Sequence, residues 1–131
     1  MALTNDGDAL LIVETFAGKV SRIAIGEGGE PGVRSDFVTG IDGLPDGIAV
    51  DDAGNVYVSL YHPSRILRVD RAGRMATYAE DPTVHMFCHP TNIAFDGPTL
   101  YTANLGRWHV TQVRTDTTAE RLVDRTARAW K

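Results

Sequence analysis

Cysteine is nearly absent from this 131-residue chain. Cys88 stands alone, so an internal disulfide is excluded and the composition suits a reducing, cytoplasmic setting. Long apolar runs are missing too. The longest, Ala9-Leu10-Leu11-Ile12-Val13, is far too short to span a bilayer, so no membrane association is expected. MALTNDGDALLIVE shows no basic segment leading into an apolar core, so no secretion signal is visible. Positive charge is in deficit. A net charge of −4 lacks the footprint of a nucleic-acid binder, and no nucleic-acid partner is expected. With no Gly-x-Ser-x-Gly elbow and no phosphate-cradling glycine loop, serine-nucleophile and nucleotide-dependent chemistry find no support.

What the chain does have is punctuation. Thirteen glycines and six prolines break short apolar–polar alternations, the pattern of many short strands. With 43% hydrophobic and 23% charged residues, the composition is that of one soluble globular domain. Alternation predicts strands at 10–14, 19–25, 36–39, 47–51, 56–60, 65–70 and 75–79, then at 92–95, 100–103, 109–114 and 120–123. Asn5-Asp6-Gly7, Asp52-Ala53-Gly54-Asn55, Arg71-Ala72-Gly73 and Asp96-Gly97-Pro98 supply turns between them. Only the tail TAERLVDRTARAWK is compatible with a helix, so the expected class is all-β.

The strands repeat as a group. PDGIAVDDAGNVYVSLYHPSRILRVD lies over PTNIAFDGPTLYTANLGRWHVTQVRTD, matching Ile48 with Ile93, Tyr57 with Tyr101 and Val69 with Val113. The segment MALTNDGDALLIVETFAGKVSRIAI fits the same template, with Val13 on Val58 and Val20 on Ile66. A repeat near 45 residues holding about four strands is a β-propeller blade. The expected architecture is therefore a propeller segment of about three four-stranded blades, at about 1–42, 43–87 and 88–125. Propellers usually close a ring of four to eight blades, so an arc of three leaves two blade faces to be covered. A homodimer completing the ring, a longer parent chain and a poorly soluble remnant are the three expected alternatives.

ETFAGKVSRIAI, LPDGIAVDDAGNVYVSLYHPSRILRVD and HPTNIAFDGPTLYTANLGRW resemble the six-bladed propellers of the SMP-30/gluconolactonase/luciferin-regenerating-enzyme family. The resemblance covers nearly all of residues 1–114 and corresponds to roughly the second half of such a propeller. It implies a lactone hydrolase dependent on a divalent cation, Ca²⁺ or Zn²⁺, acting on a sugar lactone or related ester. The alternative is a non-catalytic propeller fragment or interaction module. In Pro45-Asp46-Gly47, Asp46 matches the family aspartate that binds the metal and is the proposed catalytic base. The family's earlier Asn and first-blade Glu have no counterpart, leaving one metal ligand of three.

Residue chemistry offers two readings at each candidate. Asp46, between two backbone breakers, either caps a turn or points from the start of an inner strand into the channel. A carboxylate there suits a hard cation and can accept a proton from attacking water. His85, Cys88 and His89 in HMFCHP are zinc-type ligands without a recognised spacing, and Met86 and Phe87 are the expected apolar anchors of that loop. His89 is also a candidate substrate contact, because loops at the channel mouth carry specificity. Asn92 either lines the channel or fills a left-handed backbone position. Tyr61 and Arg107, in equivalent loops of successive blades, are candidates for gripping a sugar-like ring, whereas Trp108 is expected in blade-to-blade packing. Glu14 ends an apolar strand and is expected to be solvated or paired with arginine.

Overall fold

The computed structural model describes residues 1–117. Among them run eleven strands and no helix: β1 (Ala2–Leu3), β2 (Ala9–Glu14), β3 (Lys19–Ile25), β4 (Pro31–Val38), β5 (Leu44–Val50), β6 (Val56–His62), β7 (Arg65–Val69), β8 (Met75–Glu80), β9 (Pro90–Asp96), β10 (Thr99–Asn104) and β11 (Val110–Arg114). They form three antiparallel meanders, β1–β4, β5–β8 and β9–β11. The strand expected at 120–123 and the helix considered for the tail lie outside the described residues. No helix among the described residues is long and apolar enough to cross a membrane.

Neighbouring sheets touch through their first strands, β1 against β5 and β5 against β9. The last strands, β4 and β8, are mostly exposed. This is a propeller arc, with inner strands on one side and outer strands fanning toward solvent. β4 begins five residues earlier than alternation predicts, because Pro31–Asp36 is polar and exposed. Its pairing with β3 (Ile25↔Pro31, Ile23↔Arg34) supplies order that its own composition does not signal.

The middle sheet owes its position to the two-residue period of a strand, which sends successive side chains to opposite faces. Val56, Val58 and Leu60 of β6 join Leu11 and Val20 of the first sheet, together with Ile48, Val50, Leu67 and Val69, in one core. Tyr57 and Ile66 point the other way, to Ile93, Leu100 and Phe87 in a second core. The Tyr57 ring meets Tyr78 and Phe95 edge-on, each at 5.1 Å between centroids. Burial pushes its phenol above the ordinary tyrosine range. Each fully buried aliphatic side chain contributes about 1.5–3 kcal/mol. The two apolar seams, more than hydrogen bonding between sheets, hold the arc together.

Candidate functional site

Asp46, Tyr61, His89, Asn92 and Arg107 lie toward one end of the arc. Each sheet begins with its inner strand and turns back on itself, so the start of β5, the β6–β7 turn, the start of β9 and the β10–β11 loop converge. The register shows it: Leu44 lies opposite His62, and Pro90 lies opposite Asn104.

Gly47 sits where β5 and β9 come closest. A Cβ there would collide with the Thr91 carbonyl oxygen, and would stand 2.7 Å from Ser59 Oγ and 2.9 Å from Asn92 Cα. Only glycine permits that approach. Ser59, buried in the middle of β6, ties the two strands: its Oγ accepts from Gly47 N at 3.1 Å and donates to the Thr91 carbonyl. The signal for Ser59 in the sequence is a small hydroxyl side chain inside the otherwise aliphatic and aromatic run Val56-Tyr57-Val58-Ser59-Leu60.

Asp46 stands one residue before this contact. The β5–β6 register is irregular on both sides of Pro45, up to Ile48, and such a bulge re-aims a side chain. Asp46 is exposed while Pro45, Gly47 and Ile48 are buried. It caps no turn. Other aspartates of the chain do cap: Asp6 accepts from Thr4 and Asp8 N, Asp51 from Asn55 N, and Asp70 from Ala72 N and Arg74 N. Among the described residues the Asp46 carboxylate has no such partner. Asn92, across the seam, is likewise exposed and lies within an extended strand. Apart from glycines, the left-handed positions of this region belong to Val84 (φ 59°) and His89 (φ 55°), which corrects the expectation that Asn92 fills one.

The 81–89 connection is built around Asp81. Its carboxylate accepts from Thr83 Oγ1 (2.6 Å), Thr83 N (3.0 Å), Met86 N (2.5 Å) and Phe87 N (3.1 Å). The Thr83 hydroxyl, then those backbone amides, hold its carboxyl far below the usual carboxylate range. Phe87 is buried as an anchor, but Met86 is 65% exposed. The Met86 contribution is its backbone oxygen, which accepts from Thr111 Oγ1 and from His109 Nε2 at 3.1 Å. Cys88 is buried and free, and His85 is exposed. Among the described residues no group of three His, Cys, Asp or Glu is placed to hold a metal ion.

His89 and Tyr61 come together: their rings stack at 4.7 Å and 24°, with the His62 ring 6.4 Å from His89. Arg107 lies apart from them, in an open groove of about 620 Å³ with Thr83, Val84, Trp108 and His109. Trp108 is fully exposed, so within these sheets it is no packing residue. Glu14 is paired as expected: Arg34 Nη2 lies 2.5 Å from Oε1 and Lys19 Nζ 3.8 Å. The Ser21 hydroxyl, then Arg34, hold its carboxyl below the usual range.

The sequence profile of the SMP-30/Gluconolactonase/LRE-like region matches residues 1–105. The chain belongs to that family. Among proteins similar to this SMP-30/gluconolactonase/LRE-like chain is the 6-deoxy-6-sulfogluconolactonase of Pseudomonas putida, 33% identical over 79% of this chain and 33% of that protein. The pentonolactonase XacC of Haloferax volcanii is 32% identical over 76% of this chain and 34% of that protein. The crystal structure of regucalcin from Agrobacterium tumefaciens, a calcium-binding protein, superposes with a TM-score of 0.71 at 23% identity, over 91% of this chain and 45% of that one. That likeness shows the propeller fold. The chain spans about a third of the length of these curated lactonases.

Proposed function

We propose that this chain carries part of the active site of a lactone hydrolase acting on a sugar lactone or related ester, with Asp46 as the proton-accepting carboxylate. Support comes from the Asp46 side chain itself. It is exposed at the start of an inner strand, re-aimed by a bulge, and bonded to no turn amide. The two curated relatives, both lactonases, supply the reaction class.

Water attacks the lactone carbonyl while the Asp46 carboxylate accepts its proton, and a C–O bond forms. The ring C–O bond then breaks, and the ring oxygen takes up the proton to leave an open hydroxy acid. Asn92, across the seam, and Tyr61 and Arg107, at the same end, are the proposed substrate contacts. The resemblance implies a Ca²⁺ or Zn²⁺ ion, which when bound would polarise the carbonyl. The described donor set does not fit such an ion on its own, because Asp46 has no partner acid or histidine in a group of three. Additional oxygen ligands would have to come from a completed ring. A second copy of the chain is the proposed source, and the buried free thiol of Cys88 accords with a proposed cytoplasmic setting.

Ring opening of D-glucono-δ-lactone releases a proton, so a pH indicator follows it directly. Wild-type protein should accelerate it with a divalent cation present, and Asp46→Asn should lose about 10²–10⁴-fold. Equal rates in the two proteins, or no acceleration by either, would sink the proposal. The competing reading is a non-catalytic interaction module, favoured by the exposure of Trp108, Leu105 and Val110.

A further inference from the structure

The backbone of His89 is left-handed, with φ 55°, a conformation that non-glycine residues seldom adopt, although histidine is among those enriched there. Four contacts hold it. His89 N donates to Ser64 Oγ at 3.1 Å, and Leu105 N donates to the His89 carbonyl at 3.1 Å. The ring stacks on Tyr61, and Nδ1 lies 2.8 Å from the Tyr61 carbonyl oxygen. Gly106 completes the fit, since a Cβ there would come within 2.9 Å of His89 Cδ2.

One of these contacts fixes chemistry as well as position. A carbonyl oxygen only accepts, so Nδ1 must carry the hydrogen. In the neutral ring Nε2 is then a bare lone pair, and no described residue bonds it. The half-buried ring sits at the end of the arc where Asp46 and Asn92 are exposed. We infer that His89 is a hydroxyl-reading residue: an imidazole locked in one tautomer, whose Nε2 accepts a hydrogen bond from a polyhydroxylated ligand of the sugar-lactone or aldonate class. The ligand class rests on the lactonase reading; the tautomer does not.

Two measurements on the full chain, and a third on a variant, test it. Long-range ¹H–¹⁵N spectra of the labelled protein should show His89 protonated at Nδ1, with a pyridine-like Nε2. A hydrogen on Nε2 overturns the inference, whatever any variant does. Titration with sodium D-gluconate should then shift Nε2 in a saturable way, whereas acetate, which has no hydroxyls, should not. No shift with gluconate, or an equal shift with acetate, also overturns it. His89→Asn tolerates the left-handed backbone and keeps an amide donor for the Tyr61 carbonyl while removing the Nε2 acceptor. Its melting temperature should fall by only the few degrees that the lost Tyr61 stack is worth, and its gluconate affinity should be about tenfold weaker, the loss of one hydrogen bond. Unchanged affinity in a folded variant would refute the assignment. Gluconate binding through His89 without lactone opening would refute the hydrolase reading alone. Lactone opening with a silent Nε2 would refute this inference alone.

Discussion

At the scale of single residues, the aspartates divide by what surrounds them. Asp81 is enclosed by one hydroxyl and three backbone amides, and so favours its charged form. A carboxyl held below its unfolded value contributes stability that is complete above the unfolded value and is lost as pH falls from there through the lower folded value. Asp6, Glu14 and Asp70 are depressed in the same direction. Urea midpoints measured against pH should therefore begin to drop below about pH 5 and keep dropping past the ordinary carboxylate value of about 3.9. Asp81→Asn should be less stable at neutral pH and show a shallower acid slope. A parallel slope would mean that Asp81 carries none of the dependence. Asp46 has no such enclosure, which supports its proposed role as the proton-accepting carboxylate.

At the scale of elements, the β5–β9 seam is the sensitive joint. Gly47→Ala places a methyl against the Thr91 carbonyl and Ser59 Oγ, both fixed by the hydrogen bonds that tie the strands. Overpacking of this kind costs about 1–3 kcal/mol, which thermal or urea unfolding would read. A neutral result would mean that the inner strands are free to part. The strands themselves were largely legible: Lys19–Ile25 emerges from alternation with both ends correct, and the ten expected elements before residue 115 all exist. Pro31–Asp36 was illegible because an exposed outer strand needs no apolar face. The exposed position of Asp46 at the start of an inner strand was suggested by the blade repeat and the family resemblance, its proposed role remaining to be tested. The roles of Ser59 and Met86 were not legible, because each depends on a partner from another element, and that of Asp81 was not, because it depends on the path of its own loop. The expectations for Met86 and Trp108 failed for a shared reason: large apolar side chains suggest burial, but burial is decided by which face a loop presents.

For the whole molecule, the outer faces of the arc matter most. Tyr101, Ala103 and Val110 alternate with the inward-facing Leu100, Thr102 and Thr111, so they lie on the far face of the third sheet. Leu10, Ile12 and Ile23 do the same on the first. We propose that a second copy of the chain covers these faces. Light scattering should give a mass of two chains, reduced to one by Val110→Glu, whose charge would meet an apolar blade face. A monomeric wild type would show that a second copy does not close the ring.

The close approach at Gly47 has a consequence for anyone searching genomes with the tripeptide Pro-Asp-Gly. Its glycine answers to steric fit between blades, and its aspartate to the proposed chemistry at the mouth. These demands are independent, so a propeller that has lost all activity would still keep the glycine while its aspartate drifts. A hit on the fingerprint therefore reports shared architecture first. Under the proposed function, a working relative keeps the acid beside that glycine unoccupied by its own backbone.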